Sequence, residues 1–143
     1  MRRWLRLALA LALVLSCGPH GRRETADLLD RLRALSGVQV TEITPPAGMA
    51  RAFEILVTQP VDHHDPSRGT FQQRLLLSHR DENQPMVLCT LGYGLGTNYV
   101  GELAHLLDAN QLLVTHRYFP NARPSPVDWK YLTIAQAAAD HHH

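Results

Sequence analysis

An α/β fold, antiparallel in its first strands and parallel after them, is predicted by three stretches of this 143-residue chain. The first is a pair of period-two segments. From Arg51 the apolar residues alternate, with Phe53, Ile55 and Val57 on one face until Pro60 ends the run. After a polar loop over residues 62–69, Phe71, Gln73, Leu75 and Leu77 share one side, as in half-buried antiparallel strands joined by a loop. The second is Met86–Leu91, apolar apart from Thr90, the texture of a strand covered on both faces in a parallel sheet. The third stretch comes directly after that strand. A glycine-rich exit over residues 92–98 leads to a helical stretch over residues 99–107, with Leu103, Leu106 and Leu107 on one side. Another apolar strand, residues 111–115, completes a βαβ unit.

The elements before this core divide the chain. Residues 1–16 have the layout of a signal peptide: a basic start with Arg2, Arg3 and Arg6, a Leu/Ala/Val run from Leu7 to Leu15, then small residues. That run is roughly half of the about 20 residues that a membrane-spanning helix needs. Val14, Leu15, Ser16 and Cys17 resemble a bacterial lipobox, with Leu15 bulkier than its position favours, so Cys17 is the candidate lipidation site. Lipidation would tether the product to a membrane, and more than one acyl chain is needed for stable anchoring. Ordinary export, with an unmodified Cys17, is the other reading. Residues 17–24 form a tether. Residues 25–48 hold an amphipathic helix with Leu28, Leu29, Leu32 and Leu35 in one stripe, Thr25 as a candidate cap and Gly37 at the end, then a Pro-rich linker. Residues 49–143 are the α/β domain. Near its end Thr133 and Gln136 have capping-box spacing and open an Ala-rich helix.

Charge is nearly balanced, 14 basic against 13 acidic residues, with no basic stripe of the kind that nucleic-acid binding requires. With Cys17 lipidated, Cys89 would have no disulfide partner, and its apolar neighbours read as core. His63, His64 and Asp65 tempt a metal reading, but adjacent side chains on an extended segment point to opposite faces. No metal or other cofactor is expected.

Several blocks, in this order, are familiar: FEILVTQPVDHHDPSRGTFQQR from Phe53 to Arg74, the Gly92-Tyr93 strand exit, His116-Arg117-Tyr118-Phe119, and Asp128-Trp129 through Asp140-His141-His142. Over roughly residues 50–143 the chain resembles the bacterial secreted prolyl tri- and tetrapeptidyl aminopeptidases, serine peptidases of the α/β-hydrolase fold. Prolyl carboxypeptidases are similar at greater distance. The resemblance implies the N-terminal part of such a fold, truncated before the nucleophile elbow. It implies acyl transfer on peptide substrates with a free amino end, often at proline, by a Ser-His-Asp triad.

No triad member can be placed on this chain. A G-x-S-x-G elbow is absent, and the acid and base follow the elbow in such folds. Ser16, Ser36, Ser67, Ser78 and Ser125 lie upstream of its place and lack the flanking glycines. The backbone N–H groups of Gly92 and Tyr93 are candidates for half of an oxyanion hole, since one donor comes from the loop after the third strand of the hydrolase fold. The competing reading is that these glycines only make the turn. Arg117, at a strand end where α/β sheets place ligands, reads as a structural cation paired with a carboxylate. Thr115 stands where the family often has an acidic residue, which weakens transfer of an amine-binding role. His141 and His142 belong to the family pattern. A lipid-anchored binding module and a lipase- or esterase-type fragment remain as alternatives.

Overall fold

The computed structural model describes residues 26–91 and 96–142. Five strands make one sheet: β1 (Val38–Ile43), β2 (Arg51–Pro60), β3 (Thr70–His79), β4 (Met86–Leu91) and β5 (Asn110–Thr115), in the order β1-β2-β3-β5-β4. The first three pair antiparallel, β3 pairs antiparallel with β5, and β5 pairs parallel with β4. Among the described residues three short α-helices are added: α1 (Leu28–Arg33), α2 (Glu102–Leu106) and α3 (Ile134–His142).

The two long strands follow from their alternation. Phe53 lies opposite Leu77, and Ile55 opposite Leu75, so one face of the β2-β3 ladder is apolar. Val40 on β1 joins Phe53, Ile55 and Leu77 there, and Leu28, Leu29 and Leu32 of α1 pack onto them. Phe53 is fully buried, and removing such a side chain from water is worth about 1.5–3 kcal/mol. The opposite face carries Leu76 and Leu113, with Ile43, Cys89 and Leu91 against them. Val87, Ala104 and Ala109 extend that face where α2 packs on β4.

Three local expectations are revised. Residues 38–43 are a strand, where the sequence predicts a helix leading directly into a linker. Val38 and Val40 fall on one face and Thr41 and Ile43 on the other, so no one-sided alternation stands out beside the Leu stripe, and pairing along β2 decides their conformation. α1 is capped by Asp27, whose Oδ2 accepts from Leu29 N at 3.1 Å, and it ends at Ala34 before Gly37 turns at φ 70°. α2 covers five residues rather than the nine from 99 to 107, because Gly101 caps it and Asp108 turns to φ 49°. The polar turn before β4 is held by Asn110, whose Oδ1 accepts from Arg80 N at 2.7 Å.

An Arg51-centred ion cluster joins α1 to the outer strands. Its guanidinium donates to Asp27 Oδ1 at 2.6 Å and to Glu42 Oε1 at 2.7 Å. These hydrogen bonds hold both carboxyls below their usual range. A lowered folded-state pKa gives stability that is present above the unfolded value and lost as pH falls through the folded one. Amide exchange over residues 28–43 should therefore accelerate on acidification below the usual carboxyl range of about 4. In Arg51→Gln the exchange should already be fast at neutral pH and show much less acid dependence.

Candidate functional site

The site is defined by where the chain leaves β4 and β5. These are the parallel strands, and α/β sheets bind ligands beyond the carboxyl ends of such strands where neighbouring connections leave to opposite faces. α2, after β4, packs on the face with Val87. α3, after β5, lies on the other face, where Asp140 and His141 line a cavity of about 240 Å³ with Gln59, Gln73, Leu88 and Val114. Residues 116–119 follow directly on the β5 exit. Gly92 and Tyr93, the candidate oxyanion donors, fall outside the described residues, as do Cys17 and the leader before it.

On the β5 side the geometry is specific. Arg117 is fully buried and makes five hydrogen bonds, one for each N–H of the guanidinium. Nε donates to Asp140 Oδ2 at 2.6 Å and Nη2 to Oδ1 at 2.6 Å, a bidentate pair. Nη1 donates to the carbonyls of Val61 at 3.1 Å and Tyr131 at 3.0 Å, and Nη2 also reaches Pro60 O at 3.3 Å. The Phe71 ring lies 5.4 Å from the guanidinium carbon. The sequence reading of Arg117 as a structural cation holds, and Asp140 is its carboxylate.

Asp140 also gathers amides and a histidine. His63 Nε2 lies 2.8 Å from Asp140 Oδ1. Gln59 Nε2 donates to the Asp140 carbonyl at 2.9 Å and to Gln73 Oε1 at 2.8 Å, and Gln73 Nε2 donates to Thr115 O at 2.8 Å. Gln136, one turn before Asp140, accepts from His63 N at 2.9 Å and donates to Asp62 Oδ1 at 2.7 Å. Only half of the predicted capping box forms: Thr133 Oγ1 accepts from Gln136 N at 3.2 Å, while the amide side chain is spent on the 62–63 loop. The His64 N–H, aided by Gln136, holds the Asp62 carboxyl below its usual range.

Above this layer, residues 116–119 turn sharply. Tyr118 has φ 72°, strained for a bulky side chain, and is secured by its N–H to Ala122 O at 2.7 Å, by Arg123 Nε donating to its carbonyl at 3.1 Å, and by its hydroxyl on Asp128 O. Trp129 packs on the ring, centroids 5.2 Å apart. His116 and Phe119, beside the mouth of the turn, meet edge-to-face at 5.9 Å. Asp140, Gln59 and Gln73 are not singled out by sequence reasoning. Two glutamines on facing strands at inward positions, Gln59 and Gln73, were the available signal, since a buried amide demands partners.

Ser67 Oγ donates to Asp65, and Ser78 Oγ donates to Asn98 Oδ1 at 3.1 Å, so neither faces a histidine base. The His63–Asp140 pair has the look of a base with its orienting acid, yet the carboxylate is already neutralised by Arg117.

The Arg117–Asp140 pair makes a sharp prediction. Removing one partner of a buried ion pair costs about 3–5 kcal/mol, because the other charge is stranded. Arg117→Met or Asp140→Leu alone should abolish protease resistance at 25 °C. The double variant should recover a substantial part of it, and Arg117→Lys should behave like the methionine variant, since one ammonium cannot serve five acceptors.

Comparison with known proteins agrees with the residue blocks. Residues 22–143 match the family described as PS-10 peptidase S37. The prolyl tri/tetrapeptidyl aminopeptidase of Streptomyces mobaraensis is 41% identical over 118 residues, which are 82% of this chain and 24% of that enzyme. The chain thus spans about a quarter of that relative's length. With a family match that takes in both parallel strands, the Arg117 layer and α3, the chain belongs to the S37 peptidase family.

Proposed function

We propose that this chain forms the front part of an exported serine-type aminopeptidase of the α/β-hydrolase fold, which releases short N-terminal peptides, often at proline. The observation that carries the reading is the family match over a segment whose two parallel strands open onto one crevice. In the complete enzyme a serine would attack the scissile carbonyl, a histidine would take its proton and pass it to the leaving amine, and an aspartate would orient the histidine. A G-x-S-x-G elbow is absent from these 143 residues, so the chain alone is inactive. Its own contribution is scaffold and rim: backbone N–H groups at Gly92 and Tyr93 for the developing oxyanion, and His116 and Phe119 beside the crevice.

The lipobox-like stretch ending at Cys17 supports a membrane tether for the exported product. A Cys17→Ser variant should lose incorporation of a labelled fatty acid in a bacterial host. Equal labelling of variant and parent would remove the tether from the proposal.

The catalytic part is tested by grafting residues 26–142 in place of the matching stretch of the S. mobaraensis enzyme. The graft should hydrolyse chromogenic peptides bearing proline before the scissile bond, and residues 17–143 alone should not. In the graft, Tyr93→Pro removes one N–H donor and should lower kcat by about 10²–10³, whereas Tyr93→Phe should keep the rate. A folded Tyr93→Pro graft with unchanged kcat would eliminate the oxyanion assignment. Turnover by residues 17–143 that survives repurification would demand a nucleophile elsewhere in the chain.

A further inference from the structure

We propose that a cavity between the loop after β2 and residues 125–131 binds a small organic monocarboxylate, such as the carboxyl end of a short peptide. The pocket stands on its own side chains; only the choice of a peptide as the bearer rests on the proposed peptidase function.

The cavity has a volume of about 160 Å³ and lies beside the start of β3. β3 runs antiparallel to β5, with Leu75 opposite Val114, so Thr70 extends past the carboxyl end of β5. The cavity is thus at the end of the sheet where α/β folds take ligands. Pockets for drug-sized ligands measure roughly 300–1,000 Å³, so this one suits a group about the size of a single residue.

Its polar lining has donors to spare. Arg68 Nε donates to Asp65 Oδ2 at 2.9 Å, and among the described residues its two terminal nitrogens have no acceptor. Those nitrogens carry the planar fork of N–H groups that matches a carboxylate. Lys130 Nζ lies 2.8 Å from Asp128 Oδ2, which leaves further N–H groups for a ligand. Thr70 and Ser125 add hydroxyls. The acceptors, by contrast, are engaged: Asp65 Oδ1 accepts from Ser67 N and Asp128 Oδ1 from Lys130 N, each at 3.2 Å. Lys130, with a smaller contribution from Arg68, holds the Asp128 carboxyl below its usual range, so both cations act on the same space. An acceptor is what the lining lacks.

Charge and shape narrow the ligand. Asp65 and Asp128 balance the two cations, so a monoanion seated on the fork is favoured over a dianion, which the carboxylates would repel more strongly. The remaining wall is apolar, made by Val61, Pro126 and Tyr131. Val61 and Tyr131 are pinned through their carbonyls, which accept from Arg117 Nη1 at 3.1 and 3.0 Å. Both cations are held by aspartates that cap their own turns, Asp65 before Pro66–Arg68 and Asp128 before Trp129–Tyr131. Little ordering is left to be done on binding. A carboxylate with a small apolar body meets both parts of the pocket. Peptides released by a peptidase end in such a group, and a final proline would set its ring against the apolar wall.

The test is a titration of the full chain, followed by the amide NMR signals of Gly69, Thr70 and Lys130. N-acetylproline should shift these signals saturably, its uncharged amide should not, and inorganic phosphate should bind more weakly. Arg68→Gln should raise the Kd for N-acetylproline at least about ten-fold, as expected for lost hydrogen bonds to a charged group. Lys130→Gln should act in the same direction, and Arg31→Gln, on α1, should leave the Kd unchanged. All three side chains are at least half exposed, so the fold does not depend on them, and the dispersion of the amide spectrum checks this. No saturable shift, equal binding of the amide, tighter binding of phosphate, or parental affinity in Arg68→Gln would each overturn the proposal. The chain has no nucleophile elbow, so binding is read without turnover. Binding of N-acetylproline beside a graft that is inactive on proline peptides would leave the pocket standing and count against the peptidase reading.

Discussion

The buried ion pair between Arg117 and Asp140 is the constraint on which the upper half of the molecule depends. A guanidinium cannot shed its charge on burial, so every N–H must find an acceptor inside the protein. Those acceptors come from the end of β2, the loop after it, the Trp129–Tyr131 turn and α3. Four segments are thereby fixed around one side chain, beside a small apolar cluster of Val61, Phe71, Ala122 and Tyr131. The Gln59-Gln73 ladder performs the same service in neutral form, tying β2 and β3 to the carbonyls of Asp140 and Thr115. Packing dominates where α1 seals Phe53 and Ile55; around Arg117, polar satisfaction joins the smaller cluster of Val61, Phe71 and Ala122.

That division accounts for how much of the structure is legible in the sequence. Period-two alternation over β2 and β3 and the apolar texture of β4 and β5 are local signals, and the strands follow them closely. β1 is hidden because a six-residue strand at an edge owes its conformation to its neighbour. Leucine spacing overstates the length of α2, since it continues to the point where the backbone turns away at Asp108. In the candidate site, Arg117 is recognisable as a cation in need of a carboxylate. Its partner is not, since the pairing joins residues 23 apart through a turn and a helix. Buried glutamines are quieter still: the one mark of Gln59 and Gln73 is an inward position in the period-two pattern.

The same layer explains how a strand-end turn can stay strained. Tyr118 occupies a left-handed conformation that a bulky residue avoids, and it is held there by backbone, side-chain and ring contacts together. Strain of this kind persists only where the surroundings over-determine it. Here the surroundings are the Arg117 layer below and the Trp129 stack above. His116 and Phe119, in edge-to-face contact, are carried by a turn that has little freedom to relax.

Gln59 and the Asp140 carbonyl that it grips are 81 residues apart in sequence. Contacts of such separation form late, because the loop entropy must be overcome before the bond contributes. As the chain emerges from the ribosome, Gln59, His63 and finally Arg117 are made well before the carboxylate that organises them. Until Asp140 arrives, Arg117 lacks the carboxylate that balances its charge, and Gln59 lacks one of its two acceptors. The helix that completes the layer is thus the last of its parts to be synthesised, and the buried charge is balanced only once it has been made.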